Sequence, residues 1–349
     1  MLQKERNSSF ELLRIISMML IVSFHYAYHG GFDFKAPLNI GLYFIQCLDM
    51  GGKLGVNLFV LISGYFLCKT KFNWKRLLKL EFEVIFYSVI IGLIFHFALP
   101  EKEGIKGLAK EFFPLHSGNY WFYSVYFALV LISPLLNKLI ERIQRTTFRE
   151  LLIAYGVIWI FVPIFQKINI GWFVFLYLCA AYIRFFPKDF KLRGRTFAFL
   201  GIISYFLIFI FILMCDLFSL KDLRFRDLFN LFLPQDSVLI FLSSIFLFIG
   251  FSKWNIGSNK IINLISSATF GVYLIHDNNL VRPFLWLDLF KNAKYQNSNF
   301  LILHALIVIA LVYIFCTLID LLRKYFIENP IFRVIEKFEF KFYKRNDKS

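Results

Sequence analysis

Ten apolar stretches divide this sequence, and they constrain its fold more than any other feature. They lie near residues 10–29, 48–68, 77–99, 119–140, 150–166, 170–186, 196–216, 237–252, 263–282 and 299–322. About 20 mostly apolar residues span a bilayer as a helix. Hydrophobic residues make up 58% of the 349 residues, more apolar surface than a soluble chain of this length can bury. We therefore predict an all-α polytopic membrane protein with about ten transmembrane helices.

The distribution of basic residues orients these helices. If the N-terminus is cytoplasmic, 26 of the 39 Lys and Arg residues fall in cytoplasmic segments and 12 in external ones. This bias follows the positive-inside rule and predicts that both termini are cytoplasmic. The net charge of +16 is then mostly a topology signal. We expect no nucleic-acid partner, because no connection is long enough to fold as a basic soluble domain.

The domain organisation follows from the same pattern. We predict one ten-helix membrane domain over residues 1–330 and a basic cytoplasmic tail over residues 331–349, which can rest on anionic lipid. No small-residue cleavage site follows the first apolar stretch, so we expect that stretch to remain as a spanning helix. The expected location is the cytoplasmic (inner) cell membrane, with the bilayer as a partner.

Two ionisable side chains, Arg14 and His25, lie inside the first apolar stretch. A charged Arg at the bilayer centre costs about 2.5–3.5 kcal/mol, so a sequence keeps one where the protein interior uses or satisfies it. Eleven residues at 100° each nearly complete whole turns, which places both side chains on one face, about 16 Å apart. We interpret this face as the wall of a reaction or transport path. It also carries Glu11, Met18, Ile21 and Tyr28.

Two histidines are candidates for proton transfer. His25 lies in the outer half of the first stretch, and His276 lies at a similar depth in the ninth. Imidazole titrates near neutrality and suits proton removal from a hydroxyl. The alternative for each is a histidine that only hydrogen-bonds a carbonyl of a neighbouring helix. We treat the remaining four as structural or solvated: His29, His96, His116 and His304.

Arg14 lies near the cytoplasmic side, where its planar guanidinium suits a phosphate or carboxylate. This indicates an anionic cytosolic donor, such as a nucleotide-bearing cofactor. A salt bridge with Glu11, three residues earlier, is the alternative, and both can hold. At the outer side, Tyr120 and Trp121 fit an aromatic belt.

Other polar and small residues predict packing. Gly55 and Gly64 allow close helix approach. Glu81 and Glu83 enter the third stretch from its basic end, so we expect them to pair with Lys79 or Arg76. The five cysteines are scattered and have no metal-ligand spacing, so we expect no metal.

Taken together, these motifs resemble the acyltransferase-3 family of integral membrane acyltransferases. In family order they are Arg14-x10-His25, GVNLFVLISGYFL at 55–67, Tyr-Trp-Phe with a later Pro-Leu-Leu at 120–136, GVYLIH within the Ser-rich segment 266–276, and Glu-x-Pro at 328–330. The resemblance covers residues 10 to about 330. Two features depart from the family pattern. Tyr26 stands where many members carry a second His, and Glu81 and Glu83 stand where many carry Pro-Tyr.

The resemblance implies a ten-span fold and a stand-alone O-acyltransferase. Such enzymes move an acyl group, often acetyl from cytosolic acetyl-CoA, to a hydroxyl of a surface polysaccharide or related glycan. The family's key pair maps onto Arg14 and His25. We add Glu11 and His276 as residues near the acyl-CoA or behind the catalytic pair, and Tyr120 and Trp121 as acceptor-binding residues. Whether His25 acts as general base or briefly carries the acyl group stays open.

Two other functions fit the same sequence. An exporter or flippase of a lipid-linked polysaccharide would also have ten spans and an intramembrane charged face. An inactive relative that serves as an assembly partner is a further possibility, against which the presence of both Arg14 and His25 argues. The discriminating property is chemical, because an enzyme leaves an ester on its product and an exporter only moves it.

Overall fold

The computed structural model describes residues 7–98, 105–162, 169–222, 225, 228 and 233–335. Within these residues the chain is helical and has no β-strand. The principal helices, labelled in chain order, are α1 Ser8–Tyr28, α2 Ile40–Asp49, α3 Gly51–Leu67, α4 Trp74–Ala98, α5 Ile105–Glu111, α6 Pro114–Ser117, α7 Trp121–Arg142, α8 Arg145–Phe161, α9 Asn169–Phe185, α10 Gly194–Ser219, α11 Val238–Ser252, α12 Lys260–Ser267, α13 Thr269–His276 and α14 Leu301–Arg323.

Several of these helices are suited to a bilayer. Five helical segments among the described residues are long and apolar enough to cross one: Ser8–Tyr28, Ile40–Leu67, Trp121–Arg142, Gly194–Ser219 and Leu301–Ile335. Two more apolar helices, α9 and α11, are shorter. The chain is therefore an all-helical membrane protein. The count of about ten spans and the orientation of the termini remain predictions.

Three boundaries differ from the sequence pattern. The second stretch begins earlier, as α2, and Met50 separates it from α3. The ninth, predicted over 263–282, is broken at Ala268 into α12 and α13 and ends at His276. The hydroxyl of Thr269 donates to the carbonyl of Ser266 (2.9 Å) at this break, a side-chain bond that competes with regular helix pairing. The last helical segment continues to Ile335, and the rest of the predicted tail lies outside the described residues.

Helix α1 is the centre of the bundle, in contact with α2, α3, α11, α12, α13 and α14. Asn7 caps its start by accepting from the backbone N–H of Ser9 (3.0 Å). Glycines of α3 allow this helix to approach α1 closely, because a β-carbon added at Gly55 would lie 2.5 Å from the carbonyl oxygen of Ser17. This contact between α1 and α3 bears out the packing role predicted for Gly55.

The pairing predicted for the two acids of α4 is wrong. Glu83 forms an ion pair with Arg323 (Nη2 to Oε1, 3.0 Å), and Glu81 accepts from the hydroxyl of Tyr123. Lys79 instead lies over the ring of Phe332, 4.8 Å from its centre. The acids point into the bundle, where partners come from other helices, so proximity along the sequence does not select their partners.

Arg323 is the buried centre of a polar cluster that includes Glu83. Its side chain is 1% exposed, and besides Glu83 it contacts Asp320 (Nε to Oδ1, 2.9 Å) and Glu328 (Nη1 to Oε2, 2.6 Å). Tyr87 donates its hydroxyl to the same oxygen of Asp320 (2.9 Å). Lys324 pairs with the other oxygen of Asp320 (Nζ to Oδ2, 3.0 Å). Arg323 is thus the cation that three carboxylates share, at the junction of α4, α14 and the helical turn that follows α14.

We expect the substitution Arg323→Met to destabilise the fold strongly, because it leaves three carboxylates without their shared cation. Removal of one partner of a buried ion pair costs about 3–5 kcal/mol. Thermal unfolding of the purified protein in detergent micelles measures the effect. Arg145→Met is the matched control, since Arg145 also pairs with an acid, Asp189, but its side chain is 58% exposed. Equal, small shifts in Tm for the two variants would contradict the assignment.

Candidate active site

Two buried imidazoles join α1 to α13. Nδ1 of His25 lies 2.9 Å from Nε2 of His276. His276 is fully buried and His25 is 7% exposed. Nδ1 of His276 in turn lies 2.6 Å from the carbonyl oxygen of Val272, one turn earlier in α13. The structure thus brings together the two histidines that the sequence places at a similar depth.

The carbonyl of Val272, at the end of this row of hydrogen bonds, determines which imidazole nitrogens carry protons. A carbonyl oxygen can only accept, so neutral His276 carries its proton on Nδ1 and has a lone pair on Nε2. That lone pair accepts the Nδ1 proton of His25. Neutral His25 therefore has its own lone pair on Nε2. This assignment follows from the hydrogen-bond network and makes Nε2 of His25 the available base.

A buried carboxylate lies beside this base. Oδ1 of Asp277 is 3.5 Å from Nε2 of His25 and 3.9 Å from Nε2 of His29. Arg282 contacts the same oxygen through Nε (3.1 Å) and donates to the backbone carbonyl of Asp277 (2.9 Å). A proton gained at Nε2 of His25 would thus face a negative charge at short range.

Sequence reasoning missed both Asp277 and His29 as site residues. Asp277 follows His276 directly, so a second ionisable residue in the same apolar stretch was visible. His29 lies four residues after His25 and therefore one turn away on the same face of the helix. These two spacings are the signals in the sequence that point to Asp277 and His29.

The same residues form a group that could hold a metal ion. One ligand atom from each of His25, His29 and Asp277 lies within 4.8 Å of the others. The guanidinium of Arg282 already occupies the carboxylate oxygen that such an ion would use. This disfavours a second cation there, and the absence of a metal remains a prediction.

His25 opens into a narrow cavity between α1, α3, α7 and α13. Met18 and Ile21 line it, which confirms that part of the predicted face of α1, whereas Tyr28 is 62% exposed. The polar lining side chains besides His25 include Lys53 and Asp277. The rest of the wall is largely aromatic: Phe24, Phe59, Trp121, Phe122, Phe270 and Tyr273.

The two aromatic residues predicted to bind an acceptor occupy different places. Trp121 lines the cavity. Tyr120 is fully buried, donates its hydroxyl to the carbonyl of Leu274 (3.0 Å) and accepts from the side-chain amide of Asn278 (2.7 Å). These two bonds hold the end of α13 that carries His276 and Asp277, so Tyr120 supports the site from behind.

Arg14 lies toward the opposite end of α1 from His25. Its Nη1 is 2.6 Å from Oε2 of Glu11, which also accepts from the hydroxyl of Ser266. The Arg14 side chain is 25% exposed and does not line the cavity at His25. The predicted salt bridge with Glu11 is therefore present, and the guanidinium still reaches the surface.

Tyr26, the neighbour of His25 in the sequence, faces away from this site. Its hydroxyl lies 2.8 Å from Nδ1 of His304, whose ring stacks on Tyr295 with centres 3.8 Å apart. The second imidazole beside His25 comes from His276 on another helix and not from the following position of α1.

Comparison with known families gives one match. A sequence profile described as an acyltransferase domain, of the acyltransferase-3 type, matches residues 7–321. No curated protein and no solved structure matches the chain. The matched residues include both histidines, Arg14 and the cavity described above.

We predict a measurable consequence of the imidazole chain. In protein labelled with ¹⁵N-histidine, His25 should show a single neutral tautomer protonated at Nδ1, because His276 accepts that proton. In His276→Ala the Nδ1 partner is lost, and the two neutral tautomers should mix, since their intrinsic energies are close. Solid-state NMR of His25, assigned with His25→Ala, reads this directly. His116→Ala, at an exposed histidine, should leave the His25 signal unchanged. An unaltered His25 tautomer in His276→Ala would contradict the hydrogen bond from His25 to His276.

Proposed function

The chain belongs to the acyltransferase-3 family, and on that basis we propose that it is a membrane O-acyltransferase that uses His25 as its general base. It moves an acyl group, acetyl in the simplest case, from cytosolic acyl-CoA to a hydroxyl of a cell-surface polysaccharide or related glycan. The observation that carries this proposal is the contact of His25 Nδ1 with Nε2 of His276, which bonds the carbonyl of Val272 and so leaves Nε2 of His25 as the available base at the wall of a cavity.

The proposed donor enters from the Arg14 end of the bundle. Arg14 keeps part of its guanidinium exposed beside Glu11 and Ser266, where it can bind a phosphate of acyl-CoA. The thioester then extends along α1 toward His25. The CoA part of the donor is thus bound near the start of α1, and the acceptor hydroxyl is bound near the end of α1, at His25.

The acyl transfer itself uses one proton shuttle. Nε2 of His25 takes the acceptor hydroxyl proton as that oxygen attacks the thioester carbonyl carbon, and Asp277 stabilises the resulting imidazolium. The tetrahedral intermediate then re-forms its carbonyl, the carbon–sulfur bond breaks, and His25 returns the proton to the departing sulfur. The products are a sugar ester and free CoA. A carboxylate 3.5 Å from Nε2 can stabilise the imidazolium that forms during the transfer, which supports the role of base over that of acyl carrier.

Trp121 is the proposed acceptor-binding residue. It lines the cavity that holds His25, and an indole ring offers a flat apolar face against which a sugar ring can stack. Tyr120 acts as a positioning residue through its bonds to Leu274 and Asn278. The membrane location follows from the apolar helices, and the cytoplasmic membrane is the compartment where a cytosolic donor meets a lipid-linked or surface acceptor.

The decisive test is mass spectrometry of surface glycans from cells with the wild-type gene, a deletion or His25→Ala. We expect a discrete acyl mass to disappear from the deletion and from His25→Ala while the glycan amount stays unchanged. His116→Ala removes an exposed imidazole and should leave the acylation intact. Acylation at the wild-type level in His25→Ala would refute the mechanism, and loss of the surface glycan itself with unaltered acylation would support an exporter.

We expect His276 to act through His25 rather than on the substrate. His276→Ala should lower kcat by about 10²-fold or more, the lower range for general-base catalysis, with little change in KM. His276→Gln should recover part of the loss, because its amide oxygen can accept the Nδ1 proton of His25. The assay measures release of CoA from acetyl-CoA in the presence of glycan extracted from the deletion strain. Parallel losses in both variants, or a change confined to KM, would contradict this role.

A further inference from the structure

Lys53 of α3 carries a positive charge into the cavity of His25. It lines the same wall as His25, Trp121 and Asp277. Its Nζ lies over the indole ring of Trp121, 4.8 Å from the ring centre. Among the described residues it has no hydrogen bond and no ion pair within 4.0 Å, in contrast to Arg282 and Arg14. The only close partner of this ammonium is therefore an aromatic face.

No acid fixes the position of Lys53 by direct contact among the described residues. Three acids act on it electrostatically at longer range: Asp277, Asp49 and Asp236. Two of them are already engaged, since Asp277 contacts Arg282 and Asp236 accepts from the indole N–H of Trp159 (3.2 Å). A cation–π contact contributes only about 0.5–2 kcal/mol. A flexible four-carbon stem can thus move the ammonium from the ring to a stronger partner at low cost.

The mechanism described so far has no group that stabilises the negative charge formed on the thioester oxygen, and Lys53 can supply one. Attack on the thioester moves a pair of carbonyl electrons onto oxygen, which becomes an oxyanion while His25 becomes an imidazolium. Asp277 stabilises the imidazolium. The oxyanion needs a hydrogen-bond donor that is not already paired with an acid. Of the side chains that line the cavity, Lys53 is the one with an ammonium group, which offers three N–H donors.

We propose that Lys53 is the oxyanion-stabilising residue of this site: its ammonium leaves the ring of Trp121 and donates a hydrogen bond to the carbonyl oxygen of the tetrahedral intermediate. When the carbonyl re-forms and the carbon–sulfur bond breaks, the negative charge passes to sulfur and the ammonium returns to the ring. Lys53 keeps its proton throughout. This inference rests on the proposed acyl transfer and adds a second charged group to its mechanism.

A binding experiment tests the inference without turnover. The probes are carboxymethyl-CoA, which carries an anionic carboxylate one methylene beyond the sulfur and so next to the position of the thioester carbonyl, and acetonyl-CoA, which carries a neutral ketone at the same place. We expect the wild-type protein in detergent micelles to bind carboxymethyl-CoA about tenfold more tightly than acetonyl-CoA, the scale of one charge-assisted hydrogen bond. Lys53→Met should abolish this preference, and Lys53→Arg should retain part of it.

Lys79→Met is the matched control. Lys79 also lies over an aromatic ring at 4.8 Å, that of Phe332, but does not line the cavity. It should keep the wild-type preference. In the turnover assay with glycan from the deletion strain, Lys53→Met should lower kcat by about 10²–10³-fold, the effect of removing one oxyanion donor. KM should change little, and Lys53→Arg should regain part of the rate.

The outcomes separate the two proposals. Equal affinity of the wild-type protein for the two probes would overturn the role of Lys53 and leave His25 catalysis untouched. Loss of kcat in Lys53→Met without rescue by Lys53→Arg, and with the probe preference intact, would also overturn it. Failure of the wild-type protein to bind either probe would refute acyl-CoA as the donor, and the role of Lys53 with it. A retained preference in a protein that does not acylate the glycan would refute the proposed acceptor alone.

Discussion

The hydrogen bond from His276 to the carbonyl of Val272 is the interaction on which the site depends. It converts a flexible pair of imidazoles into a directed chain, because a carbonyl can accept but never donate. The consequence passes through His276 to His25 and ends at an unprotonated Nε2 on the cavity wall. Backbone geometry in one helix thereby sets the chemical state of a side chain in another.

The close approach of the helices makes this arrangement possible. Glycines at positions 52 and 55 of α3 let it lie directly against α1, which brings Lys53 to the same cavity as His25. The broken helix α12–α13 has a similar effect on the other side. Its break at Ala268 and its early end at His276 leave Asp277 at the helix end beside Arg282. Small residues and helix ends, rather than loops, position the polar groups of this bundle.

Two buried polar clusters show how one bundle handles charge in two ways. Arg323 contacts three carboxylates directly, and Lys324 pairs with one of them, Asp320, so these charges hold α4 and α14 together. At the cavity, Asp277 pairs with Arg282, whereas Lys53 lies over an aromatic ring and has no acid within ion-pair distance among the described residues. Burial of a cation without an acidic partner costs free energy in the resting protein. Such a cation is useful where it stabilises a negative charge that forms during the reaction. That difference is the basis on which we propose a reactive role for the cavity cluster and a structural role for the cluster at Arg323.

The sequence by itself determined the helical membrane character, the polar face of α1 and the depth of both histidines. Hydrophobic length and the 3.6-residue period act locally and can be read from spacing alone. Tertiary structure decided the partners. Glu83 meets Arg323 instead of Lys79 or Arg76, Tyr120 supports α13 from behind while Trp121 faces the cavity, and Asp277 joins His25 across more than two hundred residues of sequence. Such pairings depend on which helices pack together and on how they are aligned along their axes. The 3.6-residue period of a single helix carries no information about either.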